Sequence, residues 1–183
     1  MATRARERLL ATAEELFYSE GVRAVGVERL LEVSGVGRAS FYRHFSGKED
    51  LVLAVLRDRD EQWRAWLERA VAARGSTPLA IFDVLAERFT SPQFRGCAFI
   101  NAMIESSDTS GPVYQLATQH KEAVIRYISG LLAEAGHSDP RPLAEQFILL
   151  MDGAHVTALR TRSSRPARQA KAIAEALLAG SGA

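Results

Sequence analysis

Apolar residues recur at intervals of three and four along nearly the whole chain, and Gly, Pro or Ser closes each such stretch. No stretch carries a strand signal. The chain therefore reads as all-α, with about nine helices and no internal repeat. A first helix covers Thr3 to Ser19, with Leu9, Leu10, Ala13, Leu16 and Phe17 in one stripe. Gly21 stops it as a left-handed C-terminal residue, a conformation that a β-carbon resists. A second, short helix covers Val27 to Ser34 and a third Arg38 to Phe45, with Gly35-Val36-Gly37 between them. Two short helices around a tight, Gly-containing turn make a helix-turn-helix, and Val36 is expected to plug its angle. Ser46 and Glu49 have capping-box spacing for a fourth helix that starts near Gly47 and runs past Trp63 and Trp66 to about Arg74. Further helices are expected from Pro78 through Phe89 with Thr77 as cap, from Cys97 to Glu105, and from Val113 to Ala135. Two more follow, from Asp139-Pro140 to Arg160 and from Pro166 to Ala179.

Composition narrows the class. Of 183 residues, 47% are apolar, enough for a packed core, and 25% are charged, as in folded soluble proteins. No apolar run approaches a membrane span, and Glu7 and Arg8 interrupt anything like a signal-peptide core. The single cysteine, Cys97, rules out an internal disulfide framework. A cytoplasmic protein is expected, with no membrane partner. The net charge is +1, and the first fifty residues hold eight Lys or Arg against eight Asp or Glu. A global basic footprint for nucleic acid is therefore missing. Charge is arranged locally instead: from Ser34 to Lys48 stand Arg38, Arg43, His44 and Lys48, with no acidic residue.

That stretch carries the functional reading. Phe41 and Phe45, four apart, share a face and are expected to pack inward against the first helix. Arg38, Ala39, Ser40, Tyr42, Arg43 and His44 are left around the remaining surface. In a reading helix the N-terminal residues approach base edges in the major groove. Arg38 can bond a guanine in bidentate fashion, Ala39 can touch a thymine methyl, and Ser40 can serve a base or a phosphate. Tyr42, His44 and Lys48 have the donors and reach for phosphate oxygens, which fix register without reading sequence. The plainer alternative, a solvated helix pair with half-buried Tyr42 and His44, fits the spacing equally well.

The block Val22 to Leu51 closely resembles the DNA-binding domain of the tetracycline-repressor (TetR) family of bacterial regulators. The likeness extends over about Arg4 to Leu56. It includes Phe17, Gly21, Gly35-Val36, the run Phe41-Tyr42-Arg43-His44-Phe45, and Lys48-Glu49-Asp50-Leu51. Beyond it, Phe94 to Asn101 and Leu149 to Ala154 look like segments of one branch of that family. The resemblance implies a DNA-binding domain over 1–48 and a helical ligand-binding and dimerisation domain over 49–183. It also implies a homodimeric repressor released from operator DNA by a small molecule that shifts the fourth helix, along which Asp58, Arg59, Asp60 and Glu61 lie. This chain departs from the family where a Thr or Ser pair is usual and Val25-Gly26 stands, and where Gly37 replaces a hydroxyl residue. Glycine is a tolerable N-cap, a few tenths of a kcal/mol worse than serine. Affinity then leans on Tyr42, His44 and Lys48.

For the small-molecule pocket the candidates are Trp63, Trp66, Phe82, Phe89, Phe99, Ile100, Met103, Ile104, Tyr114 and Met151. With them go the polar minority Asn101, Glu105, His120 and His155. Core packing is the plainer reading of each apolar candidate, and the inducer itself is implied by the resemblance. Cys97 follows Arg95 at a helix start, where a thiolate is favoured, although a small core cysteine is the plainer reading. Two reading helices about 34 Å apart require a twofold assembly and a near-palindromic operator. The dimer interface is expected from Leu143, Phe147, Leu150, Met151, Ala154 and Ala158 on one helix and Ile173, Ala176 and Leu177 on the next, paired as a four-helix bundle.

Rival classes fare poorly. His44, His120, His137 and His155 lack metal-ligand spacing; Asp152 and His155 could share a metal, but no second pair accompanies them. No Gly-rich phosphate loop or nucleophile elbow is present, so neither an enzyme nor a cofactor is expected. A helical interaction scaffold and a transcriptional activator remain as alternatives to the repressor.

Overall fold

The computed structural model describes residues 2–180 and contains nine helices and no strand among them. In chain order these are α1 (Ala2–Glu20), α2 (Val27–Ser34), α3 (Arg38–His44), α4 (Lys48–Ala72) and α5 (Ala80–Phe89). They are followed by α6 (Ala98–Glu105), α7 (Pro112–Glu134), α8 (Pro140–Thr161) and α9 (Arg165–Gly180). The all-α expectation holds, and α2 has the bounds that periodicity assigned it. None of these helices is long and apolar enough to cross a membrane.

The starts of α4 and α5 are capped differently from the sequence reading. At α4 the Ser46 N–H and hydroxyl both donate to Asp50 Oδ2, at 3.0 and 3.3 Å. The helix begins one residue later than expected, so Asp50 rather than Glu49 is the third helical residue and reaches back. At α5, Pro78 and Leu79 form a turn in which the Ala80 N–H donates to the Thr77 carbonyl at 3.1 Å. The helix proper starts at Ala80 with no side-chain cap, and Thr77 does not serve as one.

Packing divides the chain into two compact units. One contains the chain up to Glu61 together with Ala98–Ala117; the other contains Gln62–Cys97 and the chain from Thr118 onward. In the first, α1 packs on both α2 and α3, burying Leu9, Ala13, Leu30, Val36 and Phe41. Gly21 ends α1 at φ +94°, its N–H donating to the Phe17 carbonyl at 3.2 Å. In the second, α9 packs along α8 and α5. Phe82, Leu85, Ile128, Leu132 and Phe147 fill its centre, each stabilising the fold by roughly 1.5–3 kcal/mol. Lys171 of α9 bonds both oxygens of Asp83 of α5, at 2.9 and 2.7 Å.

This packing corrects the expected dimer face. Leu143, Phe147, Met151, Ala154 and Ala158 are buried in the core of their own unit, and Leu150 and Leu177 pack partly against it. Ile173 and Ala176 remain exposed. The apolar stripe of α8 forms one face, and α5 and α9 of the same chain cover it. Offset from it, Leu149 and Val156 face outward at 73% and 59% exposure, with Gly153 between them, and Ile173 of α9 is 51% exposed.

Candidate nucleic-acid interface

The turn between α2 and α3 is built by three residues with distinct tasks. Gly35 takes the left-handed conformation (φ 63°, ψ 22°) and its N–H closes α2 on the Leu31 carbonyl at 3.0 Å. Val36 is buried, the plug expected of it, and its N–H donates to Ser34 Oγ at 3.3 Å. Gly37 is extended (φ −68°, ψ 149°) and serves as N-cap of α3 through its backbone alone. Gly26 does the same for α2, so both helices start without a side-chain cap.

Helix α3 has the two faces that its sequence prescribes. Phe41 is fully buried and Phe45 nearly so, with ring centroids 6.0 Å apart. The guanidinium of Arg6 lies 5.7 Å from the Phe45 ring centroid, within cation–π range. Arg38, Ala39, Tyr42 and Arg43 are exposed, Tyr42 at 52%, while Ser40 and His44 are half-buried. Burying two phenylalanines thus turns the donors outward as a set. Lys48, at the first position of α4, is half-buried, with Nζ 3.5 Å from the Arg23 carbonyl.

Two features escaped the sequence reading. Arg38 is ion-paired with Glu28 of α2, and both side chains are largely exposed. No short-range spacing rule links residues ten apart across a turn. An exposed pair contributes about 0–1 kcal/mol, so Arg38 can leave it at little cost. In addition, His44 Nε2 is buried and meets no hydrogen-bond partner among the described residues. In this rotamer a phosphate contact from His44 has to come from Nδ1.

The pocket candidates separate by unit. Phe82, Phe89, Met151 and His155 are buried in the second unit. The rings of Phe82 and Phe147 lie 5.4 Å apart, and those of Phe89 and His155 5.0 Å apart, edge to face. His155 Nδ1–H donates to the Met151 carbonyl at 2.8 Å, and burial holds its pKa down at about 4. Its neighbour Asp152 is ion-paired with Lys121 through Oδ1, so one polar atom on each member of that candidate metal pair is engaged. Half-buried Trp63 and Trp66 pack 6.2 Å apart; Trp63 also meets buried His120 at 5.2 Å, and Arg88 stacks 5.0 Å from the Trp66 ring.

In the first unit, Phe99 is buried and Ile100, Met103 and Tyr114 are half-buried. Ile104 is corrected from the pocket list: at 76% exposure it faces solvent. Asn101 and Glu105 line an opening bounded by α1, α4 and α6, with about 400 Å³ of empty space including its mouth. Phe17, Val52, Val55 and Leu56 are among its apolar walls. Cys97, just before α6, is half-buried and in no disulfide.

Comparison with known proteins agrees with this geometry. Residues 9–55 match the family described as bacterial regulatory proteins, tetR family, and residues 79–174 match the tetracyclin repressor-like C-terminal domain. Among solved structures, a TetR-family transcriptional regulator from Streptomyces coelicolor, SCO4454, is 34% identical, with a TM-score of 0.89 over 100% of this chain and 92% of that one. The HTH-type transcriptional regulator YjdC of Escherichia coli K12 is 27% identical over 94% of this chain and 93% of its own. The HTH-type transcriptional repressor NemR of Escherichia coli K12 is 25% identical over 95% and 94%.

Proposed function

The chain belongs to the tetR family of bacterial regulatory proteins, a transcriptional regulator rather than an enzyme, and from that premise we propose that it is a repressor. It holds a near-palindromic operator as a homodimer and lets go when a small molecule binds. Residues 1–48 carry the DNA contacts, and 49–183 carry dimerisation and ligand response. The observation that carries this reading is the division of α3: Phe41 and Phe45 inward, and Arg38, Ala39, Tyr42 and Arg43 outward next to Lys48. Arg38, Ala39 and Ser40 read bases; Tyr42, Arg43, His44 and Lys48 hold phosphates. Repression is supported by the named role of the relative NemR.

The homodimer is supported by the outward apolar residues Leu149 and Val156 of α8 and Ile173 of α9, with Gly153 and Ala176 allowing close approach. A regulator of this kind works where the chromosome is, in the cytoplasm. Selection of bound fragments from genomic DNA by the purified protein, followed by fluorescence anisotropy at several salt concentrations, tests the reading. The expected result is a palindromic consensus and a steep loss of affinity with salt, because each neutralised phosphate releases counterions. Failure to bind any duplex at low salt without added ligand would overturn it.

A further inference from the structure

The opening between α1, α4 and α6 carries charge unevenly. Three ionised side chains line it: Glu14, Arg59 and Glu105. Glu14 and Arg59 satisfy each other, with Arg59 Nη1 donating to Glu14 Oε1 at 2.8 Å. The same guanidinium lies 4.1 Å from the ring centroid of Tyr18, so its face is covered as well. Arg59 is thus engaged at one N–H and one face, and its charge is offset by Glu14. Glu105 is different. Its Oε2 accepts the Arg23 backbone N–H at 2.6 Å, and it is ion-paired to no cation among the described residues. Its carboxylate thus keeps unused acceptor capacity beside an apolar wall, and the three groups sum to one negative charge.

We propose that this opening binds a small amphipathic cation, an aryl- or alkylamine, with its apolar body against Phe17, Val55 and Leu56 and its charged head on Glu105. The opening, about 400 Å³ with its mouth, includes solvent-open space, so the ligand's apolar body lies in part across the mouth. An ammonium donor on a carboxylate makes a charge-assisted bond, stronger than the neutral bonds available to an alcohol of the same shape. A carboxylate ligand meets repulsion from Glu105 and a guanidinium that is already paired.

The site also sits on the helix-turn-helix. Arg23 lies in the turn between α1 and α2, and a β-carbon on Gly21 of that turn would come within 3.2 Å of Glu105 Oε2. A cation that draws the Glu105 carboxylate toward itself weakens its hold on the Arg23 N–H, and with it the placement of α2. Ligand and DNA are then linked with opposite preferences for the turn. Binding itself is independent of the ligand-released reading; only this consequence rests on it.

The test uses the full chain with benzylamine, 2-phenylethylamine and benzyltrimethylammonium, and 2-phenylethanol and 3-phenylpropionate as matched neutral and anionic probes. Calorimetry and thermal shift read binding. At least one cation is expected to bind the wild type about tenfold more tightly than the matched alcohol, and the carboxylate more weakly than either. Glu105→Gln removes the preference for the cation while keeping an acceptor for Arg23. Ala98→Phe, at a half-buried lining position, blocks cation and alcohol alike. If no cation surpasses the alcohol, or if both variants bind as wild type does, the site is overturned.

A second arm follows a bound duplex by anisotropy. Cation-induced release that disappears in Glu105→Gln supports both site and linkage. Binding that follows the expected pattern but leaves DNA affinity unchanged keeps the site and overturns the linkage. Release by compounds to which both variants are indifferent keeps the ligand-released reading and overturns this site.

Discussion

Lowering the pH from 7 to 5 is expected to destabilise the protein through His155. This residue is buried on α8, with the Phe89 and Phe94 rings 5.0 and 6.1 Å away and Nδ1 spent on the Met151 carbonyl. Burial lowers its pKa from 6.5 to about 4, the nearby charges of Lys121 and Arg88 push the same way, and the Met151 bond and Asp152 oppose them. The unfolded chain therefore binds a proton below pH 6.5 that the folded chain refuses until about pH 4. Above pH 6.5 the group costs almost nothing; through the window the folded state loses ground, and below pH 4 the loss levels off. Integrating between the two pKa values gives a penalty under about 0.2 kcal/mol at pH 7 and about 2 kcal/mol at pH 5. Urea unfolding followed by far-ultraviolet circular dichroism, at one protein concentration, measures it. His155→Gln keeps a polar group for Met151 but removes the titration, so the drop in stability from pH 7 to pH 5 should be about 2 kcal/mol smaller in the variant. Other histidines and carboxylates contribute equally to both proteins and cancel. Equal drops in the two proteins would refute the reasoning.

Replacing Lys48 with Ala should weaken binding to all duplexes alike and flatten the salt slope by about one unit, measured by anisotropy titrations; a changed sequence preference would remove its phosphate role. Arg38→Ala should relax preference at one base position by about 1–3 kcal/mol in a selected-consensus experiment, and an unchanged consensus would take Arg38 out of the reading set. Leu149→Glu combined with Val156→Glu should yield monomers in sedimentation without loss of helicity, because both side chains face outward. A dimer that survives the double change would place the interface elsewhere.

The helix-turn-helix was legible because its determinants are local. The left-handed Gly35, the plug Val36 and the Phe41–Phe45 pair each act within a few residues of their own position, where periodicity and turn chemistry speak directly. The division of α8 was not legible. Leu143, Phe147, Met151 and Leu150 form an apolar face whatever covers it, and only the placement of α5 and α9 decides between a partner chain and the protein's own core. The aromatic pocket candidates were hard to read for a related reason: aromatic residues mark where apolar volume is needed, and Phe82 and Phe89 are buried in that volume. Asn101 and Glu105 stood out in sequence because a polar side chain in an apolar helix needs a reason, and both border an opening. Arg59 stood out only by its place on the fourth helix, and its partner Glu14 looks like an ordinary surface charge until α1 and α4 are brought together.

A DNA interface on a segment with as many acids as bases becomes intelligible once the pairs are traced. Arg29 lies between Glu20 and Glu32, Arg59 is taken by Glu14, and Arg38 is lent to Glu28. These contacts remove carboxylates from the count and leave Arg43 and Lys48 with no acidic partner among the described residues, together with the outward rim of α3. Positive potential is thus a property of arrangement, focused at one helix, and composition averages it away. The Arg38–Glu28 pair fits the same logic. It restrains a long side chain near the place where a base edge arrives, and its exposure keeps it weak enough to yield to a bidentate guanine contact worth about 1–3 kcal/mol of discrimination. A buried pair at that position would hold Arg38 too firmly to read anything, and an unpaired Arg38 would strengthen binding to every phosphate it met.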